Sequence, residues 1–261
     1  MSASPTGPTP STECVPPHAP LPGYYGSDAE RSRYVVDLFD RTAQHYNTIE
    51  ALLLNGGLWY RYFCLRRAGL GRGMKVLDVA IGTAAVARGA VRLVGSEGKV
   101  FGVDPSRGML AEAKKNFSGP LTRGQAESLP FASDSFDFVT MGIALRHVSD
   151  LRATFREYLR VLAPGGTLWI LEGHAPASPV GRQLTRFMMG RLVPGMTWLF
   201  TGSREAKLLM DFYWDTVEQS VRPQTILDIM AEAGFEEIRH HVVSPVCEFI
   251  GRKPRSATRA A

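Results

Sequence analysis

Between Lys75 and Leu171, short runs rich in Val, Leu and Ile alternate with stretches that read as helix. The apolar runs are Lys75–Ile81, Lys99–Val103, Phe136–Met141 and Thr167–Leu171, and the helical stretches are Ala84–Leu93, Arg107–Phe117 and Leu151–Leu162. Buried strands separated by helices of about ten residues restrict a chain to a parallel sheet with helices on both faces, because each parallel connection needs a crossover of that length. The end of the chain departs from this rule. After a helix over Gln224–Ala233, the runs Phe235–Val243 and Cys247–Gly251 are separated only by a break at Ser244-Pro245. So short a break holds no crossover helix and predicts an antiparallel hairpin. The expected fold class is therefore α/β: a Rossmann-like, doubly wound sheet of about seven strands with a terminal antiparallel hairpin.

The flanks divide the remainder. Residues 1–23 are rich in Pro, Ser and Thr and read as a disordered leader. Residues 24–70 read as N-terminal helices, with Val35, Leu38, Phe39, Ala43 and Tyr46 at helical spacing. A second run, Ile49–Leu54, stops at the breaker Asn55-Gly56-Gly57, and a third, Trp59–Ala68, stops at Gly69. Residues 180–217 form an insertion before the last helix and read as a helical lid. Its stretch Leu184–Phe200 is rich in Met and aromatics, a composition suited either to ordinary packing or to an adaptable acceptor pocket open to a prenyl tail. The main domain is expected over 24–253, with a basic tail over 254–261.

Charge and cysteine usage remove several function classes. The net charge is +5, but Arg252, Lys253, Arg255 and Arg259 crowd the end, and no basic stripe interleaved with aromatics points to nucleic acid. The tail is read as solvated, with weak attraction to acidic lipid as the alternative. Cys14, Cys64 and Cys247 lie far apart without metal-ligand spacing, so no metal is expected. No apolar run has the length of a membrane span, and the first thirty residues lack Lys and Arg, so a cytoplasmic protein is expected, at most peripheral to a membrane.

The candidate site begins at Val76-Leu77-Asp78-Val79-Ala80-Ile81-Gly82-Thr83-Ala84, a strand running through a tight turn into a helix. Ligands in open α/β sheets bind at the carboxyl ends of strands, and a second strand ends about twenty residues on in Asp104, placed to accept from ribose hydroxyls. That pairing fits a dinucleotide or S-adenosylmethionine (SAM) equally. Two details favour SAM. The turn reads D-x-A-x-G-x-A, with alanine at Ala80 and Ala84, not the glycine pattern that cradles a pyrophosphate. The terminal hairpin is also typical of SAM methyltransferases.

Further blocks follow in order: Val103-Asp104, Gln125-Ala126-Glu127-Ser128-Leu129-Pro130-Phe131, Ser135-Phe136-Asp137, Leu145-Arg146-His147-Val148, Val161-Leu162-Ala163-Pro164-Gly165-Gly166 and Leu171-Glu172. With Leu38-Phe39-Asp40 and Tyr46 before them and Ala233-Gly234-Phe235 after, the chain resembles the UbiE-type ubiquinone and menaquinone C-methyltransferases from about Val35 to Arg252. The turn that follows Asp78 lets the amino-acid end of SAM meet the backbone around Ala80 to Gly82, and the resemblance implies further cofactor contacts at Thr83, Asp104, Gln125 and Ala126, and at Gly142, where the family often has Ser. The chain departs from the pattern at Ala84-Ala85 for the usual Gly-Asp, at Gly57-Leu58 for a His-Arg pair, and at Asn47 for an Asp.

Carbon methylation of a hydroxylated ring is helped by a base or by a cation that favours the phenolate. Arg146 is the expected catalytic residue, a stabiliser of phenolate charge. The competing reading is an ion pair with Asp150 or Glu157. His147 is a possible base, or a structural histidine. His174 and the pair His240-His241 are weaker candidates, the pair because adjacent strand residues face opposite ways. Tyr46, Phe187, Trp198 and Tyr213 are the expected substrate contacts, with Trp214 helping to close the lid. The main expectation is C-methylation of a small-molecule acceptor, a quinol or related phenol, with or without a prenyl tail. The alternatives are O- or N-methylation of a specialised small molecule, and a SAM-binding protein without catalysis.

Overall fold

The computed structural model describes residues 13–52, 57–243 and 245–255. Three helices open it: α1 (Asp28–Thr42), α2 (Tyr46–Leu52) and α3 (Gly57–Arg67). The alternating unit follows as β1 (Lys75–Val79), α4 (Ala85–Val94), β2 (Lys99–Asp104), α5 (Arg107–Asn116), β3 (Leu121–Arg123), β4 (Phe136–Gly142), α6 (Leu151–Val161) and β5 (Leu162–Gly173). The insertion holds α7 (Pro179–Phe187), a π-helical turn at Met188–Leu192, α8 (Val193–Thr201) and α9 (Arg204–Gln219). Then come α10 (Pro223–Ala233), β6 (Glu236–Val243) and β7 (Val246–Arg252). Polar side chains close the helix starts as their types demand: Ser27, Ser106, Asp150, Ser178 and Ser203 each accept from a first-turn amide.

Among the described residues the strands form one seven-stranded sheet in the order β3-β2-β1-β4-β5-β7-β6. The first five are parallel, and β7 inserts antiparallel between β5 and β6. The strand missed in the sequence is β3, three residues long and too short to show a period. The expected turn Pro164-Gly165-Gly166 is taken into β5 as an irregularity, the register jumping from Phe136↔Leu162 to Phe138↔Thr167.

Alternation along the strands sends neighbouring side chains to opposite faces. On β1, Val76 joins the core under α3, α4 and α9, and Leu77 joins the core under α6 and α10. Strand order reverses about β1, since β2 and β3 follow on one side and β4 and β5 on the other. The carboxyl ends of β1 and β4 therefore flank the switch point, where an open α/β sheet leaves a crevice.

Two expectations need correction. The leader does not stay disordered over residues 13–23. Val15 donates to Asp150 Oδ1 at 3.1 Å and accepts from Leu151 at 2.9 Å, Pro17 accepts from Val221 at 2.8 Å, and the buried His18 gives its carbonyl to Arg31 at 2.6 Å. Its prolines need no amide partner, so an extended strap can be held by the few amides and carbonyls that remain. Residues 1–12 lie outside the described residues, as do 256–261 of the basic tail and most of the Asn55-Gly56-Gly57 breaker. The insertion is not one uniform lid either. Helix α9 joins the core through Leu209, Met210, Phe212 and Trp214, whereas α7 buries no residue.

Candidate active site

The turn after β1 is held by its own backbone. Ala80, Gly82 and Ala84 have φ of 54°, 55° and 70°, and Ile81 donates to the Val103 carbonyl at 3.1 Å. Gly82 donates to Asp104 Oδ2 and Ser106 donates to Asp104 Oδ1, both at 2.9 Å. Burial pushes the Asp104 carboxyl up to about 6 although both amides pull it down. The Leu38-Phe39-Asp40 block joins the same construction: Asp40 Oδ1 accepts from the Ser106 hydroxyl at 2.5 Å and from Gly108 at 2.8 Å, pinning α1 to the start of α5.

Asp78 is buried one turn below. Its Oδ1 accepts from Thr140 Oγ1 at 2.7 Å, and among the described residues its Oδ2 has no partner of ordinary hydrogen-bond geometry, although the Ala87 amide at the start of α4 also favours the ionised carboxyl. Burial pushes this carboxyl up to about 7 against the pull of the Thr140 bond. Thr83 Oγ1 is likewise buried and unpaired. An unpaired carboxylate oxygen and hydroxyl at one strand end call for a donor-rich partner, since leaving such groups unsatisfied costs about 1–3 kcal/mol each.

Two cavities open here. The first is lined by Asp104, Met109, Gln125, Ala126 and Glu127, a largely apolar cavity with a few polar groups that suits a nucleoside. The second is lined by Asp78, Thr83, Glu50, Arg61, Arg146 and Tyr213, with Leu209, Met210 and Phe212 of α9 as its wall. Phe39, Tyr46, Ala80, Gly82, Gly142, Ile143 and His147 line both, so the cavities meet there. The cofactor residues expected from the sequence all line one cavity or both.

The junction has strained and orphaned groups. Ile143, a β-branched residue, sits at φ 57°, a conformation such residues rarely adopt. His147 is wedged between Phe212, stacked at 5.4 Å, and the edge of Phe39 at 5.3 Å, and neither ring nitrogen has a partner among the described residues. Burial, then the neighbouring Arg146 charge, holds its imidazole well below its ordinary value, so it is neutral. Burial raises the Tyr46 phenol far above its usual range. A Cβ on Gly142 would lie 2.7 Å from Val86 Cγ2, so a side chain here would require Val86 to move.

Arg146 is buried, and neither Asp150 nor Glu157 is its partner. Its Nη1 meets Glu172 Oε1 at 2.5 Å and the Ile143 carbonyl at 2.9 Å, its Nε donates to Thr216 at 3.1 Å, and its guanidinium lies 4.4 Å from the Tyr213 ring centre. Asp150 instead caps α6, and Glu157 pairs with Arg160.

The expected substrate residues divide. Tyr46 and Tyr213 line the second cavity, but Phe187 and Trp198 are 56% and 52% exposed and line neither. They lie on the outer helices of the insertion, with α9 facing the cavity. Trp214 packs under Gly190, also outside both cavities. His174 lines a separate recess beside Arg222, and His240 stacks on Phe249 at 4.7 Å while His241 is exposed. Arg61 was missed. It reaches the second cavity from α3, where Nη2 pairs with Glu50 at 2.5 Å. The only signal was an arginine inside the apolar run Trp59–Leu65.

Comparison with known proteins supplies a frame. The model of the ubiE/COQ5 methyltransferase family matches residues 27–251. The demethylmenaquinone methyltransferase of Desulfitobacterium hafniense is 30% identical over 239 residues, covering 88% of this chain and 93% of its own. The ubiquinone/menaquinone biosynthesis C-methyltransferase UbiE of Pseudomonas paraeruginosa is 31% identical, covering 82% and 86%. Among solved structures, a Thermotoga maritima SAM-dependent methyltransferase, described as a possible histamine N-methyltransferase, matches with a TM-score of 0.60 at 19% identity, covering 84% of this chain and 99% of its own. The [4+2]-cyclase SpnF matches with a TM-score of 0.63 at 18% identity, covering 86% and 97%. A cyclase on this fold shows that the fold alone does not set the chemistry.

Proposed function

Since the chain belongs to the ubiE/COQ5 methyltransferase family, we propose that this SAM-dependent methyltransferase transfers its methyl group to a ring carbon of a quinol or related phenol. The observation that carries the acceptor class is the junction itself: a neutral histidine with two free ring nitrogens, between apolar walls, beside a buried guanidinium.

In this reading Asp104 accepts from the ribose hydroxyls, and Gln125 and Ala126 border the adenine. Asp78 and Thr83 would supply acceptors for the ammonium of the methionine end, and Arg61, which lines the same cavity, would supply a cation for its carboxylate. SAM brings a methyl group on a sulfonium, activated without help from the protein. The protein must orient the acceptor and move its proton.

Neutral His147 accepts the hydrogen bond of the acceptor hydroxyl, which holds the ring oxygen in place and raises electron density on the ring. The ring carbon then forms its bond to the methyl as the sulfur–carbon bond breaks. The proton on that carbon would then pass to solvent, which restores the aromatic ring with its hydroxyl still hydrogen-bonded to His147. Arg146 acts by field and position. Its charge already lowers the pKa of the Tyr46 and Tyr213 phenols against the larger effect of burial, and an acceptor phenol between them feels the same field. Its bond to the Ile143 carbonyl also fixes the turn that carries His147. Phe39, Leu209 and Phe212 exclude water and would flank a prenyl tail.

The test is incubation with a short-tailed demethylquinol and isotope-labelled SAM, followed by mass spectrometry and NMR of the product. The expected product carries the label on a ring carbon, and His147→Ala lowers kcat by about 10²–10⁴-fold with SAM affinity kept. Label on oxygen or nitrogen rejects C-methylation; unchanged kcat in the variant rejects the role of His147.

A further inference from the structure

The outer helices of the insertion present an apolar face that the active site does not use. Val180, Leu184, Phe187, Met188 and Leu192 are exposed and recur at the spacing of one helical face along α7 and the π-helical turn. The run Trp198-Leu199-Phe200 at the end of α8 adds three more exposed side chains, Leu199 being 73% exposed. Scattered apolar residues on a surface are ordinary, but a continuous set of this kind marks a docking face.

The charges around it select the partner. From Gly173 to Arg204 the sequence contains no Asp or Glu, but it contains Arg182, Arg186, Arg191 and Arg204. Arg186 pairs with Glu218, whereas Arg182, Arg191 and Arg204 are exposed. An amphipathic helix with Leu, Phe and Trp on one face, and only arginine for charge, has the composition of a segment lying in the headgroup layer of an acidic bilayer. A protein partner would not require that carboxylates be excluded from the whole stretch. Among the described residues no helix is long and apolar enough to cross a membrane, so the contact would be interfacial.

We infer that α7, the π-helical turn and α8 form a docking surface for an anionic lipid bilayer, with Val180, Leu184, Phe187 and Leu199 entering the interface and Arg191 and Arg204 meeting headgroup phosphates. Helix α9 places this surface one helix layer from the second cavity: Gly190 packs on Trp214, and the adjacent Tyr213 lines the cavity. The inference stands whatever the acceptor is, because lipid binding is read without one.

The experiment is co-sedimentation of the full chain with vesicles of phosphatidylcholine alone and of phosphatidylcholine with about one third phosphatidylglycerol. Binding is expected to the anionic vesicles, to fall with added salt, and to weaken roughly thirty-fold in Arg191→Gln/Arg204→Gln. Val180→Glu/Leu184→Glu should abolish it while leaving SAM affinity, measured by calorimetry, unchanged. Equal binding to neutral and anionic vesicles, no binding, or binding untouched by either variant overturns the inference. So does a lipid-free dimer that Val180→Glu/Leu184→Glu converts to a monomer, which would make the face a contact between two copies.

Discussion

Ala84 shows how closely two terms can balance at one residue. At φ 70° an alanine costs about 1–2 kcal/mol, a cost that glycine escapes, yet its methyl is fully buried, which is worth about 0.8 kcal/mol. Added backbone freedom in the unfolded state, about 0.4–1 kcal/mol, also opposes the glycine. Ala84→Gly is therefore expected to change unfolding free energy by less than about 1 kcal/mol in urea titration, far below the cost of a buried truncation. Asp78 gives a pH-dependent prediction. Its carboxyl is raised to about 7 from 3.8, so the ligand-free fold holds a proton that the unfolded chain has released above pH 4. This group therefore lowers stability as pH rises from about 4 to about 7. An ammonium brought against Asp78 prefers the ionised form, so SAM affinity should fall as pH drops below about 7 and proton release should accompany binding. Calorimetry in buffers of different ionisation enthalpy measures that release, and Asp78→Asn should remove it. That Asp78, Gly82, Thr83 and Asp104 line the cleft was readable from the sequence, because the first three follow one another through a single strand and turn and Asp104 ends the next strand. Arg61 and the Arg146–Glu172 pair were not, because their partners come from distant elements.

At the scale of elements, the strap over residues 13–27 and helix α6 share one residue. Asp150 caps α6 by accepting from Arg152 at 2.9 Å, and the same oxygen accepts from Val15 at 3.1 Å. Asp150→Ala should therefore cost more than an ordinary cap, about 2 kcal/mol against about 1, and should raise amide exchange at Val15 together with the first turn of α6. Hydrogen-exchange mass spectrometry separates this from simple fraying, which would leave the strap protected. Composition alone could not foretell the strap. Proline and serine mark a segment unable to build its own core, but not one that lies on a core built by others. The insertion misled for a related reason. Its apolar residues were read as one lid, whereas α9 turns its own inward and α7 turns its own out, and the sequence period is the same in both cases.

For the whole molecule, the parallel sheet, the hairpin and the cofactor cleft followed from the order of apolar runs, since topology rules leave few alternatives once strands and crossovers are counted. What closes the cleft did not follow, because α1, α3 and α9 meet over it only through tertiary packing. Those helices and the sheet share the site, so ligand binding should stabilise the molecule as a unit. With SAM at about 100 times its Kd the gain is about 2.7 kcal/mol, which for a domain of this size should raise Tm by about 5–10 °C in one cooperative transition. Scanning calorimetry with and without SAM checks this, and a shift confined to part of a split transition would contradict it. The strap adds a constraint in time. Its anchors, Asp150, Leu151 and Val221, lie more than a hundred residues downstream. On the ribosome, residues 13–23 are synthesised before the surfaces of α6 and Val221 that anchor them exist, so the first described segment to emerge is among the last that can dock fully. Until then the strap itself stays exposed to chaperones and proteases, and cotranslational capture of nascent chains of increasing length would date its docking to the emergence of α10.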